Sequence, residues 1–377
     1  MVRTVPMGEP AVAVDVTPLV GPRTGIGASV AHAIAALADL PDGPRLVPYA
    51  LSLRARSHRT ALPPTTRFVP LPARLLLRRW TTSEHPRIDR WLRPAAVLHA
   101  TNYLAPPSRL PTLVTVNDLT FVRYPDLVSD EVRATAVVVR RAVARGASIH
   151  TASEFVAAEV EEHFGPGLQD AGRIVVVPWG VPPVAAAGPV LPPAARAGPY
   201  VLAIGTLEPR KNLPKLVEAF GAVAAAHPDL RLVLAGPDGP DSPAVRQAIL
   251  GLPAAPRSRV VVTGAVSDAD RCSLLHHATL LAYPSLYEGF GFPVLEAMTA
   301  GVPVVAARRG SIPEVADGAA LLVDPDDEHD LARAIDSLVR DEGLRARLVA
   351  AGEVRAATYS WRATAEGLTT TYRQLAR

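Results

Sequence analysis

Two carboxylates, Glu288 and Glu296, flank the run Gly289-Phe290-Gly291-Phe292-Pro293. Gly289 and Gly291 break the segment, so the two acids are not expected on one helix. Glycines there permit positive φ and a close backbone approach to a ligand. Pro293 suits the first helical position, which puts Glu296 in the first turn of a helix. At that place an acid either favours the helix dipole, by about 0.3–1 kcal/mol, or serves a ligand. Glu288 precedes the glycines at the carboxyl end of a strand candidate. It reads either as an exposed loop acid or as a carboxylate that binds sugar hydroxyls or stabilises a developing cation.

A second constellation is Gly205-Thr-Leu-Glu-Pro-Arg-Lys-Asn212. It follows the apolar Tyr200–Ile204 and precedes a pattern with Leu216, Val217, Phe220 and Val223 on one helical face. Asn212 is expected to cap that helix. A strand end that feeds a helix N-terminus presents free N–H groups and a positive dipole end. Arg210 and Lys211 add two cations, a set that suits a diphosphate. All but two of the 39 Lys and Arg residues are Arg; the lysines are Lys211 and Lys215. A compact ammonium, in a chain that otherwise uses the planar guanidinium, marks Lys211. Lys215 reads as an exposed helical residue. The same turn also fits a capped helix with a solvated basic end.

The first half carries weaker signals. Thr24-Gly25-Ile-Gly27 is a short Gly turn able to approach a phosphate. Val30 takes the third glycine position of G-x-G-x-x-G, and no P-loop lysine follows. His99, Asn102, Asn117 and Asp118 stand at strand ends. His99 is either structural or acceptor-facing, and Asp118 is either functional or a cap for the next turn. The Arg-rich segment Arg67 to Arg93, with Trp80 and Trp91, reads on balance as solvated surface, with contact to an anionic membrane surface or an anionic acceptor as the alternative.

These residues need strands and helices to hold them. Strand candidates in the first half are Ala11–Asp15, Leu46–Ala50, Ala96–His99, Leu113–Val116, Ser148–Thr151 and Ile174–Val177. Helical patterns cover Ile26–Leu37, Asp130–Ala144 and Ser153–Phe164, the last behind a cap-like Thr151-x-x-Glu154. In the second half, strand candidates are Tyr200–Ile204, Leu230–Ala235, Val260–Thr263, Thr279–Tyr283, Pro303–Ala306 and Ala319–Val323. Between most of them lie helical segments Leu213–His227, Ser242–Leu250, Asp268–His277 and Pro293–Ala300. This alternation predicts an α/β fold with two open parallel sheets, each wrapped by helices. Two such sheets facing each other would make a cleft, with ligands beyond the carboxyl ends of the strands. The expected domains are residues 1–180 and 199–358, joined by a Pro/Ala/Gly linker at 181–198.

Composition sets the outer limits. A chain of 377 residues predicts about two domains. With 49% hydrophobic and 20% charged residues, each can bury a full core. Cys272 is the single cysteine, which excludes an internal disulfide framework and a cysteine metal site. Neither H-E-x-x-H nor G-x-S-x-G occurs. A net charge of +3 gives no argument for bulk nucleic-acid binding. No apolar run reaches the ~18 residues of a membrane span, and the N-terminus lacks a signal peptide's apolar core. A cytoplasmic protein, with at most a peripheral membrane contact, is the expectation.

Taken together, the motifs resemble those of family 4 retaining glycosyltransferases. Glu288 and Glu296 look like that family's E-x7-E pair, and GTLEPRKN resembles its phosphate-binding turn. Val177-Pro-Trp-Gly-Val181, Thr151-Ala-Ser-Glu154 and Gly25-Ile-Gly27 also fit. Ser360-Trp361 and the helix ending near Leu375 resemble the family's C-terminal helix, which returns from residue 359 to the first domain. The wording is most similar to the mannosyltransferase-like subgroup. The resemblance implies the GT-B architecture, with the donor held mainly by the second domain and the acceptor by the first. It implies that Lys211 and Arg210 hold the donor diphosphate. Glu296 would bind the ribose, and Glu288 with Gly289, Phe290, Gly291 and Phe292 the donor sugar. Gly25 and Gly27 would lie near the phosphates, and Val262 to Ser267 with Tyr283 near the base. Glu288, Asn117 and Asp118 become the catalytic candidates, with His99 and Asn102 on the acceptor side. Neither a metal nor a cofactor is implied. The donor would be GDP-mannose first, a UDP- or ADP-sugar second, and the acceptor a sugar or glycolipid in polysaccharide or glycolipid biosynthesis.

Two departures stand out. The family usually carries His where Asn117 stands, and Asn can donate a hydrogen bond but does not titrate near neutral pH. Thr206 replaces a second cation, which leaves Lys211 and Arg210 with more of the phosphate charge. A sugar-nucleotide epimerase or glycoside phosphorylase on the same fold, and a non-catalytic sugar-nucleotide binder, are the alternatives.

Overall fold

The structure, a computed structural model, describes residues 9–21, 25–52, 55–182, 184, 196 and 198–377. Thr24 and most of the expected linker at 181–198 lie outside the described residues. The chain divides into two compact units, Met1–Gly180 with Tyr359–Arg377, and Val181–Thr358.

The first unit runs β1 (Ala11–Asp15), α1 (Gly25–Asp39), β2 (Arg45–Leu51), β3 (Arg67–Val69), α2 (Ala73–Trp80), α3 (Asp89–Leu92), β4 (Val97–Ala100), β5 (Thr112–Thr115), α4 (Thr120–Arg123), α5 (Asp130–Ala144), β6 (Ser148–Thr151), α6 (Glu154–Phe164) and β7 (Ile174–Val176). Among the described residues its sheet has the order β3-β2-β1-β4-β5-β6-β7, and every pairing is parallel. Strands of such a sheet are covered on both faces; β4 and β6 are buried at every position, β6 although it reads Ser-Ile-His-Thr. The strand β3 is an addition to the six expected. It is three residues long and opens on Arg67, so it has no apolar run to announce it. The Arg-rich segment contributes β3, α2 and α3; α2 buries Leu76, Leu77 and Trp80 and leaves its own arginines outside. The cap of α6 is Ser153, whose hydroxyl accepts from the Val156 amide at 3.3 Å, and not Thr151.

The second unit runs β8 (Tyr200–Ile204), α7 (Leu213–Ala224), β9 (Arg231–Ala235), α8 (Ser242–Gly251), α9 (Ala254–Arg257), β10 (Val260–Gly264), α10 (Asp268–His276), β11 (Leu280–Tyr283), α11 (Phe292–Thr299), β12 (Val304–Ala307), α12 (Ile312–Ala316), β13 (Leu321–Val323), α13 (Glu328–Arg340) and α14 (Glu342–Ala357). Its sheet has the order β10-β9-β8-β11-β12-β13, again parallel throughout. This is the doubly wound order, in which connections leave β8 one way and β11 the other. A crevice therefore opens beyond the carboxyl ends of β8 and β11. The equivalent point in the first sheet lies between β1 and β4.

The last helix, α15 (Trp361–Leu375), belongs to the first unit. Ser360 caps it by accepting from the Ala363 amide at 3.1 Å. It crosses the VPWG segment so closely that a Cβ on Gly180 would stand 2.3 Å from the Trp361 nitrogen. Only glycine fits there. The Thr364 hydroxyl donates to the Pro178 carbonyl at 2.7 Å, and Trp361 stacks on His32 with centroids 5.1 Å apart.

Candidate active site

The turn after β8 and the loop after β11 meet at the switch point of the second sheet. A short 3-10 turn, Pro209–Lys211, brings the two cations round, and Asn212 follows in the left-handed region with φ 54°. Asn212 does sit at the start of α7, but its side chain makes no cap. Its backbone is left-handed, and its amide donates instead to the Pro325 carbonyl at 2.7 Å. The Leu286 amide donates to the Arg210 carbonyl at 2.8 Å and ties turn to loop.

Lys211 and Glu288 are both buried. The Lys211 ammonium donates to Glu288 Oε1 at 2.7 Å and to the Tyr283 hydroxyl at 2.7 Å. It also lies 4.6 Å from the centre of the Tyr283 ring, a cation–π distance. Arg210 contributes a second charge at 2.9 Å from Glu288 Oε1 and divides itself with Glu208 at 3.0 Å. An ammonium has three donors, and Tyr283 and Glu288 account for two. Burial alone would push the Glu288 carboxyl up. Lys211 and Arg210 outweigh it and hold the carboxyl at about 2. Burial pulls the Lys211 ammonium below its ordinary value, with Glu288 opposing.

The backbone of Glu288 is fixed as firmly as its side chain. Its carbonyl accepts from both the Ser311 amide and the Ser311 hydroxyl at 3.0 Å. Gly310, with φ 61°, passes so close that a Cβ would stand 2.6 Å from that carbonyl oxygen. The loop continues through buried Gly289 and Phe290, and Phe290 packs edge-on to Phe292 with centroids 5.0 Å apart. Of the two loop glycines, Gly291 alone takes positive φ, 97°; Gly289 does not.

Glu296 differs from expectation. The helix α11 begins at Phe292, so Glu296 falls in its second turn and the dipole account does not apply. Its carboxylate Oε2 accepts instead from Arg271 of α10. Tyr283 is buried, and its hydroxyl accepts from the Lys211 ammonium. Lys215 is half-buried and pairs with Glu328 at 3.1 Å and Glu218 at 3.2 Å.

In the first unit, Asn102 and Asn117 follow the adjacent strands β4 and β5. Asn102 Oδ1 and Asn117 Nδ2 are enclosed, with no hydrogen-bond partner among the described residues. Asp118 Oδ1 accepts from the Thr120 amide at 3.0 Å and so opens α4. Tyr103 spans these loops in the left-handed region, φ 53°, with its hydroxyl 3.0 Å from the Asp118 amide. Gly25 and Gly27 form the first turn of α1 rather than a free loop.

His99 is corrected from an acceptor-side candidate to a core residue. It is 2% exposed and bonded on both ring nitrogens, Nδ1 to the Tyr372 hydroxyl at 2.7 Å and Nε2 to the Thr115 hydroxyl at 2.8 Å. Thr115 in turn meets His150 Nδ1 at 2.9 Å, and His150 Nε2 meets the Val177 carbonyl at 2.9 Å. A carbonyl only accepts, so with both rings neutral every proton in the chain has one direction. His150 Nε2–H donates to Val177, Thr115 donates to His150, His99 Nε2–H donates to Thr115, and Tyr372 donates to His99. Burial keeps both rings neutral by pushing them below their ordinary value, His150 to about 4.

Arg271, Tyr283 and Ser311 carry no local sequence signal for these contacts. Arg271 is 25 residues from its partner Glu296, and Tyr283 is 72 from Lys211. Among the described residues no group of three or more His, Cys, Asp or Glu is arranged to hold a metal ion.

Comparison with known proteins agrees with this architecture. The family model described as glycosyl transferases group 1 matches residues 193–355. O-antigen chain mannosyltransferase B of Escherichia coli is 31% identical over 289 residues, which cover 74% of each protein. Among solved structures, sucrose-phosphate synthase of Thermosynechococcus elongatus superposes with a TM-score of 0.72 at 21% identity, over 97% of this chain and 99% of that one. HepE of Anabaena, in complex with UDP and glucose, superposes with a TM-score of 0.71 at 17% identity, over 97% of this chain and 100% of that one. At these identities the structures speak for the fold, two parallel-sheet Rossmann-like domains of the GT-B type. The chain belongs to the group 1 glycosyl transferase family.

Proposed function

We propose that the protein is a retaining hexosyltransferase of the family 4 type. It moves mannose from GDP-mannose to a hydroxyl of a sugar or glycolipid acceptor, with glucose or N-acetylglucosamine from a UDP- or ADP-sugar as second choices. The observation that carries this reading is the buried Lys211 ammonium, held by Glu288 and the Tyr283 hydroxyl at the switch point of β8 and β11. Diphosphates bind where compact positive charge and free N–H groups gather at such a crevice. The mannosyltransferase name belongs to a relative, and it makes mannose the first sugar to test.

In this reading Lys211 and Arg210 receive the diphosphate, and Glu288 with the loop Gly289 to Phe292 receives the sugar. Asn117 and Asp118 are the further catalytic candidates of this reading, and Asn102 is its acceptor-side candidate. The bond from the anomeric carbon to the phosphate oxygen breaks, and the acceptor oxygen bonds the same face of that carbon. The acceptor's proton passes to the leaving diphosphate. Protein groups need only stabilise charge and position the partners, and protein cations take the place of a metal. A glycolipid acceptor suits the exposed face of α2, where Leu75 is 62% exposed among Arg74, Arg78 and Arg79, as a peripheral contact with an anionic inner-membrane surface. Among the described residues no helix is long and apolar enough to cross a membrane.

The test is a thermal-shift panel of GDP-, UDP- and ADP-sugars, followed by transfer assays on sugar and glycolipid acceptors. The true donor should stabilise the chain by about 2.7 kcal/mol at a hundredfold excess over Kd. The product linkage should keep the donor's anomeric configuration. An inverted linkage, an epimerised donor without acceptor, or a strict need for free phosphate would overturn the reading.

A further inference from the structure

The Arg271–Glu296 pair joins two helices of the second unit, α10 and α11. Glu296 is 5% exposed, and the Arg271 side chain is 27% exposed, so the pair is anchored inside and open at one edge. The helix that carries Arg271 is itself well set: Ser267 caps it by accepting from the Asp270 amide at 3.1 Å. Only Oε2 of Glu296 is engaged by the guanidinium. A carboxylate has about four acceptor positions on two oxygens, so Oε1 lies outside this ion pair. A charged pair in a partly closed site holds its geometry better than a lone carboxylate, which would turn to find water or another cation.

We propose that Arg271 is a positioning residue for the donor. It clamps one oxygen of Glu296, so that the other is presented to the ribose hydroxyls of a nucleoside diphosphate. This rests on the reading of Glu296 as the ribose carboxylate. It adds a residue on a different helix that sets how well a ribonucleotide is told from a deoxyribonucleotide. Arg271 acts on the ribose alone; the diphosphate is left to Lys211 and Arg210.

The test is calorimetric titration of the full chain with GDP, 2′-deoxy-GDP, 3′-deoxy-GDP and inorganic pyrophosphate, with the UDP series alongside. In the unaltered protein, loss of a hydroxyl that bonds a carboxylate should weaken binding about tenfold or more. Arg271→Ala should bring the ribose and deoxyribose forms to within about twofold, because the carboxylate no longer holds one orientation. Pyrophosphate affinity should stay unchanged. Arg271→Lys, which keeps the charge without the planar fork, should restore part of the ribose preference and serves if the alanine variant does not fold. Retention of the full preference in both variants overturns the proposal, as does equal weakening of pyrophosphate. Tighter ribonucleotide binding in Arg271→Ala also overturns it, since Arg271 would then be a competitor for Glu296. Absence of any ribose preference in the unaltered protein instead removes the ribose reading of Glu296, and the proposal with it.

Discussion

Lys211 Nζ lies 2.7 Å from Glu288 Oε1, although 77 residues separate them along the chain. The pair makes one electrostatic unit of two loops that follow different strands, β8 and β11. Whatever binds one of these groups changes the surroundings of the other.

Removal of the ammonium should therefore cost turnover most. Lys211→Ala should lower donor turnover at least about 100-fold, comparable to losing a key charge-stabilising donor. Lys211→Arg keeps the charge but not the compact head, and should recover only part. Single-turnover release of nucleoside diphosphate measures both. Unchanged turnover in Lys211→Ala would remove the phosphate role.

Glu288 makes a stability prediction with a definite sign. Its folded value of about 2 lies below the ordinary 4.5, so the ionised form favours folding. That contribution is complete above pH ~5 and fades as pH falls through the folded value. It is worth about 3 kcal/mol at neutral pH. Glu288→Gln lacks it, so the stability gap between the two proteins should narrow by about 2 kcal/mol between pH 6 and pH 3. Urea titrations at both pH values measure the gap. A constant gap would show that the carboxylate is not held by its cations. In assays, the same variant should lose kcat more than donor affinity.

Tyr283→Phe keeps the ring under Lys211 and removes the hydroxyl. The ammonium loses one of its two fixed partners but retains Glu288. Turnover should fall about tenfold, the cost of one hydrogen bond to a charged group, with little change in melting temperature. An unaltered kcat/KM would show that Glu288 alone places the ammonium.

The neutral His99–His150 chain predicts acid sensitivity of the first unit. A folded value of about 4 for His150 lies below the ordinary 6.5, so the unfolded chain takes up its proton first. Stability is fully present above pH ~6.5 and falls as pH drops from there to ~4, by as much as about 3 kcal/mol. His150→Asn should flatten that slope, although it lowers stability at pH 7. Hydrogen exchange of α15 amides across this pH range reads it locally, because Tyr372 anchors that helix to His99. Equal slopes in both proteins would contradict the proton order.

Much of the second unit was legible along the chain. Tyr200–Ile204 and Leu280–Tyr283 are unbroken apolar runs, and buried parallel strands demand that. Lys211 is marked by being one of two lysines in the chain, and Glu288 by its place between an apolar strand run and the glycines that break the segment. β3 escaped notice because three residues opening on Arg67 carry no period. For His99, a strand end predicts an address at the sheet's edge, but not what covers it. The helix that covers it, α15, comes from the far end of the chain.

Residue types, the order of strands and helices, and the candidates for chemistry were thus determined by sequence alone, since all of these depend on local spacing. The partners were decided by the tertiary structure. Tyr283 under Lys211, Arg271 on Glu296 and Tyr372 on His99 are contacts across 72, 25 and 273 residues. Such contacts arise only when parallel strands, joined through helices, bring distant loops to one edge of a sheet. No local pattern encodes them.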